Sequence, residues 1–396
     1  MLTAAAHHEA ADLMDGWRDA SLRELLARCR DLLEDMDFPT VHRWRERGGK
    51  VVGHFQVYFP EELAHAAGML PLRMRGAPVP MRLADSHFGS YLCSIIRSSM
   101  ELALSGRVEL DLFVTHPICD AARNLAGVWA RNFDYPAQIL YLPQNANSAH
   151  AAAYLREEYA RLLADIASIA GRAVSDDDLR ASIAVYNENR ALLRTLYAIR
   201  RDEPHRLGVD EAYLLMAVGT LMRREEHNAI LRHAVPRIRE RAARAQDRIR
   251  TVFEGGFCEQ PPLDLLGILA QSCYVVDDDL LIGMRFLEDD VPLDGDPLAN
   301  LADAYLEHSS YSPVQHDLRK PKERMLLRRV RAARADAAII AAAKMCEPGL
   351  DEQVAYAKAL DEAHIPYFVT EFEEKMSSFD QIQVQLETFV ENILFD

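Results

Sequence analysis

Residues 110–124, LDLFVTHPICDAARN, place a short apolar run directly before a cysteine and a helix-forming segment. Leu110–Thr115 has the length and apolar character of a buried strand. Asp120–Asn132 has the spacing of a helix. The stretch therefore predicts a strand, a loop that carries Cys119, and a helix. This is the repeating unit of a parallel sheet covered by helices.

The same alternation continues on both sides of this stretch, and a purely helical region separates two α/β regions. Strands are predicted at Lys50–Phe55, Met69–Arg73, Leu110–Thr115, Ala137–Leu142, Ile249–Phe253, Cys273–Val276, Ala335–Ala343 and Tyr367–Thr370. Helices are predicted at 9–36, where a capping box at SLRE (21–24) leaves open two helices rather than one. Further helices are predicted at Pro60–Ala67, 89–104, Asp120–Asn132, 151–170, Ser175 toward Arg201, 209–246, Leu263–Gln271, Leu350–Ala363 and Asp380–Leu394.

This order of elements predicts an α/β protein with two Rossmann-like or flavodoxin-like lobes, whose parallel sheets face a cleft and are joined by a helical connector. We place N-terminal helices and the first lobe at residues 1–150, the connector at 151–247 and the second lobe at 248–396. The arginines of the connector are interpreted as a solvated helix face. Sites in open parallel sheets form at the carboxyl ends of strands, so the cleft is the expected site.

Composition and charge exclude several classes of function. The 396 residues carry a net charge of −16, which argues against nucleic-acid binding because phosphate contacts need a basic face. The longest apolar run, 337–343, is too short to span a membrane, and the N-terminus lacks the pattern of a secretory signal. Six unevenly spaced cysteines do not resemble a disulfide framework. We therefore expect a cytoplasmic protein with reduced thiols.

Three cysteines, Cys93, Cys119 and Cys346, share a position in the loop before a predicted helix. A thiol at a helix N-terminus feels the positive end of the helix dipole and ionises more easily. Thiolates bind soft metals, so three that converge would form a metal or iron–sulfur site, and three rather than four would leave one iron open. Since no CxxC spacing is present, the alternative of small buried hydrophobic residues stays open.

The remaining cysteines have less distinctive surroundings. Cys29 lies in a helical pattern and Cys273 in an apolar strand, and both are interpreted as buried hydrophobic residues. Cys258 follows a predicted strand and is a candidate additional ligand at the cleft.

Four stretches resemble one enzyme family: YFPEELAHAAGMLP (58–71), SYLCSIIRSSMELA (90–103), CDAARN (119–124) and VDDD (276–279). In order and spacing they are similar to the benzoyl-CoA reductase / 2-hydroxyacyl-CoA dehydratase family, from about residue 50 to the C-terminus. The resemblance implies a [4Fe–4S] cluster on Cys93, Cys119 and Cys346 in each of two related subunits. It also implies a CoA thioester between the subunits and electron transfer at low potential, driven by ATP hydrolysis.

Within this family the sequence looks more like a benzoyl-CoA reductase subunit. FCEQPP (257–262) and the acidic residues 277–279 are similar to the reductase, and LLIGM (280–284) stands where many dehydratases carry a cysteine. The resemblance then implies an iron–sulfur subunit of an anaerobic, aromatic-degrading enzyme. It would deliver single electrons to benzoyl-CoA or a related acyl-CoA and yield a cyclohexadienoyl-CoA. The alternatives are a 2-hydroxyacyl-CoA dehydratase subunit and a non-catalytic electron-relay or scaffold subunit.

The sequence contains no nucleotide-binding GxxxxGK[ST] loop, so ATP hydrolysis must reside on other chains. The resemblance implies a homologous sister subunit, ATPase subunits that carry a further cluster, and ferredoxin as electron donor.

A few polar residues near the cysteines have two interpretations each. His116 is a candidate proton donor or a structural histidine. Arg97 and Arg123 lie one helical turn after cysteines and either offset cluster charge or point outward in salt bridges. Asp277–Asp279 either polarise substrate or cap the next element.

Overall fold

The computed structural model describes residues 16–55, 59–255, 261–280, 282, 288–310, 317–373, 376 and 378–395. It contains two four-stranded sheets with strand orders β2-β1-β3-β4 and β6-β5-β7-β8. Every neighbouring pair of strands is parallel. The strands are β1 Val51–Phe55, β2 Leu70–Met74, β3 Leu112–Thr115, β4 Ala137–Ile139, β5 Arg250–Gly255, β6 Tyr274–Asp278, β7 Ala337–Ala343 and β8 Tyr367–Phe372. The predicted α/β fold with two parallel sheets is confirmed.

Helices surround both sheets and fill the region between them. They are α1 Leu22–Glu34, α2 Pro39–Glu46, α3 Glu61–Ala66, α4 Ser94–Leu104, α5 Asp120–Asn132, α6 Ala151–Ala170, α7 Asp176–Asp202, α8 Val209–Ala217, α9 Arg224–Glu240, α10 Leu263–Ser272, α11 Pro297–His308, α12 Lys322–Ala333, α13 Glu347–Glu362 and α14 Asp380–Phe395. None of the helices in the described ranges is long and apolar enough to cross a membrane. The division of the chain at residues 150 and 247, like its location in the cytoplasm, stays a prediction.

Two predicted helices differ from the structure at their N-terminal ends. Within the stretch predicted as one or two helices over 9–36, α1 begins at Leu22, because the Ser21 side chain accepts the Glu24 N–H and completes the predicted capping box. Residues 1–15 lie outside the described residues. The helix predicted over 89–104 begins only at Ser94, since Cys93 has a non-helical backbone and forms its N-cap.

The helix predicted over 209–246 is divided in two. A short 3₁₀ turn at Val218–Thr220 separates α8 from α9. Gly219 packs directly against the ring of His227, and a Cβ at this position would lie 2.2 Å from the ring Nδ1. Glycine is therefore required at the turn, and its low helix propensity favours the interruption.

The second sheet is closely packed around its central strands. All seven residues of β7, mostly alanine, are buried. Gly255 ends β5 with φ of 140°, and a Cβ there would lie 1.6 Å from the Ala341 carbonyl oxygen. Only glycine lets β5 approach β7 so closely. The edge of the sheet where Cys346 follows β7 is fixed by this contact.

Candidate functional site

The three cysteines singled out from the sequence are each the N-cap of a helix. Cys93 caps α4, Cys119 caps α5 after β3, and Cys346 caps α13 after β7. The predicted position of each thiol at a helix start is confirmed. Two thiols belong to the first sheet and one to the second, so a site formed by all three would bridge the two sheets.

The thiols of Cys119 and Cys346 lie near enough to influence each other. Burial raises the pKa of Cys119, and the Cys346 thiol raises it further, while the backbone N–H groups of Ala122 and Ala121 lower it. The Ala122 N–H donates to the Cys119 Sγ at 3.4 Å. The protein's own groups therefore do not ease the ionisation expected of Cys119, because desolvation outweighs the helix N-terminus. A bound cation would reverse this balance, since it deprotonates a coordinating thiol.

Cys93, Cys119 and Cys346 supply thiols, the donor type that binds the iron of a cluster. Among the residues that the structure describes, no three His, Cys, Asp or Glu side chains lie close enough to hold one metal ion. In an iron–sulfur cluster each thiolate binds a different iron, so its ligands can be more widely separated. None of the described cysteines forms a disulfide. Reduced thiols on three helix starts fit this chemistry, whereas Cys258 lies outside the described residues.

His116 lies three residues before Cys119 and is completely buried. Burial lowers its pKa to about 3, and nearby His54 lowers it too, although the Leu140 backbone acts in the opposite direction. Neither ring nitrogen makes a hydrogen bond of normal geometry within the described part of the chain. The imidazole is therefore neutral at pH 7 and does not carry the extra proton of a strong general acid.

The arginines that follow the cysteines differ from each other. Arg97 donates a hydrogen bond to Asp85, so the salt-bridge interpretation applies to it. Arg123 is exposed on α5. Neither arrangement indicates that the arginine offsets the charge of a bound cluster.

The three aspartates at the carboxyl end of β6, Asp277 to Asp279, have structural contacts. Asp278 forms an ion pair with Arg200 in which both side chains are inaccessible to water. Asp279 accepts the Gly255 N–H at 2.9 Å. Arg201 pairs with Asp277 at 3.5 Å. These contacts fix the end of β6, which agrees with a structural role rather than substrate polarisation.

The interpretation of the connector arginines as a solvated face is only partly correct. Arg200 is 0% exposed and Arg190 is 7% exposed. Both face the protein interior, where each meets a carboxylate. The solvated face expected from the sequence is wrong for these two residues, because buried acidic partners from distant segments offset their desolvation.

A buried charge cluster at the carboxyl end of the first sheet has no counterpart among the sequence predictions. Its centre is Glu61, which bonds to Arg224, to the Tyr186 hydroxyl at 3.2 Å, to Arg73 at 3.3 Å and to His54 at 3.3 Å. Burial alone would raise its pKa, but these partners hold the pKa of Glu61 well below its usual range. The two glutamates that follow Pro60 were the only hint of this cluster in the sequence. They resemble the acidic first turn of an ordinary helix.

A cavity of about 340 Å³ lies beside this cluster and the start of α4. Such a volume suits a small organic ligand. Arg73 and Arg75 both line the cavity, and Arg73 connects it to Glu61. Most of the remaining wall is apolar and comes from both halves of the chain, including Met36, Met74, Ile95, Tyr213, Ile282 and Met376. Ile95 is two residues from Cys93, so the cavity lies against the first turn of the helix that this thiol caps.

Comparison with known proteins identifies the family. The profile of the 2-hydroxyglutaryl-CoA dehydratase D-component matches residues 56–393. A benzoyl-CoA reductase subunit from Thauera aromatica is 37% identical over 94% of this chain and 99% of its own length. The beta subunit of lactoyl-CoA dehydratase from Anaerotignum propionicum is 30% identical over 87% and 92%. The beta subunit of (R)-2-hydroxyglutaryl-CoA dehydratase from Acidaminococcus fermentans is 24% identical over 89% and 94%.

These relatives are subunits of reductases or dehydratases that act on CoA thioesters. The match covers nearly the whole chain, and the resemblance noted in its motifs is confirmed. The chain therefore belongs to the 2-hydroxyglutaryl-CoA dehydratase D-component family, together with benzoyl-CoA reductase and 2-hydroxyacyl-CoA dehydratase subunits, and it is an enzyme component of this class.

Proposed function

We propose that this chain is the iron–sulfur subunit of an ATP-dependent benzoyl-CoA reductase, which delivers single electrons to an aromatic acyl-CoA. The observation that carries this proposal is the position of Cys93, Cys119 and Cys346. All three are N-caps of helices, and the helix that Cys93 caps contributes to the wall of an apolar cavity. The greater identity to the reductase subunit than to the dehydratase subunits favours the reductase reaction.

Cys93, Cys119 and Cys346 would hold a [4Fe–4S] cluster, which when bound would supply one electron at a time at low potential. The chain itself contributes the orientation of the thiols and their environment. The N-terminus of each helix places partial positive charge beside a thiolate. The Ala122 N–H donates to the Cys119 sulfur, and the burial of Cys93 and Cys346 limits contact with water.

The cavity would receive the acyl group of the thioester. Its apolar wall would exclude water from the ring, which would protect a strongly reducing site from side reactions. Arg73 is held in place by Glu61 and adds a cationic side chain to the cavity lining. Conversion of the aromatic ring to a cyclohexadienoyl group takes two electrons and two protons. His116 is poorly suited to supply these protons from an imidazolium, because it is neutral at pH 7.

The proposed reaction requires other chains. The relatives are named as subunits, which supports a complex with a homologous sister subunit. We propose in addition ATPase subunits that carry a further cluster and ferredoxin as the source of electrons. The absence of a nucleotide-binding loop from this sequence fits that division of labour.

The test is reconstitution under anaerobic conditions of this chain with its sister and ATPase subunits, reduced ferredoxin, ATP and benzoyl-CoA. We expect a cyclohexadienoyl-CoA product that depends on every component. Ring reduction by the isolated chain without ATP would contradict the proposal.

A second candidate is a 2-hydroxyacyl-CoA dehydratase subunit, favoured by the 30% identity to the beta subunit of lactoyl-CoA dehydratase. Water loss from a 2-hydroxyacyl-CoA, without ring reduction, would identify this activity. A cluster without acyl-CoA binding would instead identify an electron-relay or scaffold subunit.

A further inference from the structure

Helix α7 presents one buried stripe that contacts elements of both sheets. The stripe residues follow one another at intervals of three or four, which places them on one face of the helix. All of them are buried: Ser182, Tyr186, Arg190, Leu193, Tyr197 and Arg200.

The N-terminal part of the stripe binds the start of α3, the helix that follows β1 of the first sheet. Both terminal nitrogens of Arg190 donate to one oxygen of Glu62, at 3.0 and 2.7 Å. The Ser182 hydroxyl donates to the Glu62 carbonyl at 2.9 Å, and the Tyr186 hydroxyl donates to Glu61 at 3.2 Å. The side chains of Arg190 and Glu62 are at most 8% exposed, so this contact is an interior one.

The C-terminal part of the stripe binds the end of β6 in the second sheet. Arg200 forms an ion pair with Asp278 at 2.5 Å and donates to the Val275 carbonyl at 2.9 Å. The Tyr197 hydroxyl donates to the same Asp278 carboxylate at 2.6 Å. Since both side chains are inaccessible to water, each charge is stabilised by its partner and, for Asp278, also by the Tyr197 hydroxyl.

The Arg190–Glu62 and Arg200–Asp278 pairs set the distance between α3 and β6. Arg190 and Arg200 are ten residues apart on a continuous helix, which corresponds to about 15 Å. If α7 shifted along its axis, each buried arginine would leave its carboxylate unpaired in the protein interior. Such an unpaired buried charge is strongly destabilising, so the two ion pairs favour a single register of α7. The helix therefore acts as a spacer of fixed length between α3 and β6.

The spacing matters because the cysteines are divided between the sheets. Cys93 and Cys119 follow strands of the first sheet, whereas Cys346 follows a strand of the second. We propose that Arg190 and Arg200 are positioning residues, which hold the Cys346 thiol at the right distance from the other two. This inference deepens the proposed function, on which its importance for a cluster rests. The spacing itself can be measured without iron.

The experiment uses the full-length, iron-free chain and dibromobimane, a short reagent that joins two thiols. Peptide mapping measures the Cys119–Cys346 link, which bridges the sheets, against Cys119 that has reacted with only one end of the reagent. The singly reacted Cys119 is an internal control for reagent access. The variant is Arg200→Met with Asp278→Leu, which removes both charges together and so avoids a stranded buried carboxylate.

We expect the ratio of the bridging link to singly reacted Cys119 to fall by about tenfold in this double variant, a population shift of about 1.4 kcal/mol. The apolar replacements can keep the fold stable, but they no longer fix the register of α7 against β6. Tyr197→Phe removes a single hydroxyl and is expected to fold; it should lower the ratio by about threefold. Arg194→Gln is the matched control on the same helix, because Arg194 pairs with Asp290 at the surface. It should keep the wild-type ratio.

Cluster assembly gives a second readout. After reconstitution with iron and sulfide, the double variant should retain less iron and show an altered electron paramagnetic resonance signal at unchanged thermal stability. A wild-type link ratio in Tyr197→Phe and in the folded double variant would overturn the inference and leave α7 a purely stabilising role. If wild-type protein takes up no iron but the ratios change as expected, the proposed function fails while the spacing role stands.

Discussion

Arg224 donates a hydrogen bond to Glu61 across 163 residues of sequence. Both side chains are almost inaccessible to solvent, at 11% and 6% exposure. Arg73 and His54 meet the same carboxylate. The carboxyl end of the first sheet, beside the candidate cavity, is thus held together by one negative charge among cationic and polar partners.

Glu61→Gln should reduce the free energy of unfolding by about 3–5 kcal/mol, because it leaves buried guanidinium groups without their carboxylate. Urea unfolding measured at neutral pH is the test. Glu109→Gln is the control, since Glu109 is 62% exposed in its pair with Arg45 and should cost less than about 1 kcal/mol. Equal effects of the two substitutions would show that the Glu61 cluster does not stabilise the fold.

Cys346→Ser should lose most of the bound iron, because a serine oxygen is a poor ligand for the soft iron of a cluster. Iron analysis after anaerobic purification measures this loss. Cys29→Ser carries the same chemical change at a site 0% exposed within α1 and should retain its iron. Equal iron content in the two variants would exclude Cys346 as a ligand.

Glu226→Gln should change the pH dependence of stability. Burial raises the pKa of Glu226 to about 7, from an ordinary value of 4.5. Its contribution to stability is complete below about pH 4.5 and is lost as the pH rises through 7, because the folded protein then has to hold a buried charge. The substitution should flatten the decline between pH 5 and 7 and raise the unfolding free energy at pH 8 by up to about 3 kcal/mol. Identical pH profiles in chemical denaturation would contradict this assignment.

Ile282→Trp should weaken the binding of the aromatic acyl-CoA, because the larger ring fills part of the cavity of about 340 Å³. In the reconstituted complex we expect KM to rise by about tenfold, a size typical of steric changes in an apolar pocket. Iron content should be unchanged. Leu83→Trp, at a position 45% exposed and away from the cavity wall, is the control. Unchanged KM in Ile282→Trp would place the acyl group elsewhere.

Local patterns are sufficient to predict most of the fold. All eight strands in the described part of the chain coincide with predicted runs of four to nine residues. The positions of Cys119 and Cys346 before helices follow from the same patterns, whereas the helix predicted over 89–104 included Cys93. Helices α2, α11 and α12 are absent from the sequence predictions. Asp296 and Pro297 carry a start signal for α11, since the Asp296 carboxylate caps the Leu298 and Ala299 N–H groups.

The sequence by itself determined the alternation of strands and helices, because apolar periodicity and helix caps act over a few neighbouring residues. It also determined the placement of the Cys119 and Cys346 thiols at helix starts. Only the tertiary structure decided that Arg190 and Arg200 are buried, since their partners Glu62 and Asp278 lie 128 and 78 residues away. It likewise decided the raised pKa of Cys119, because desolvation depends on everything that packs around the thiol and not on the helix that follows it.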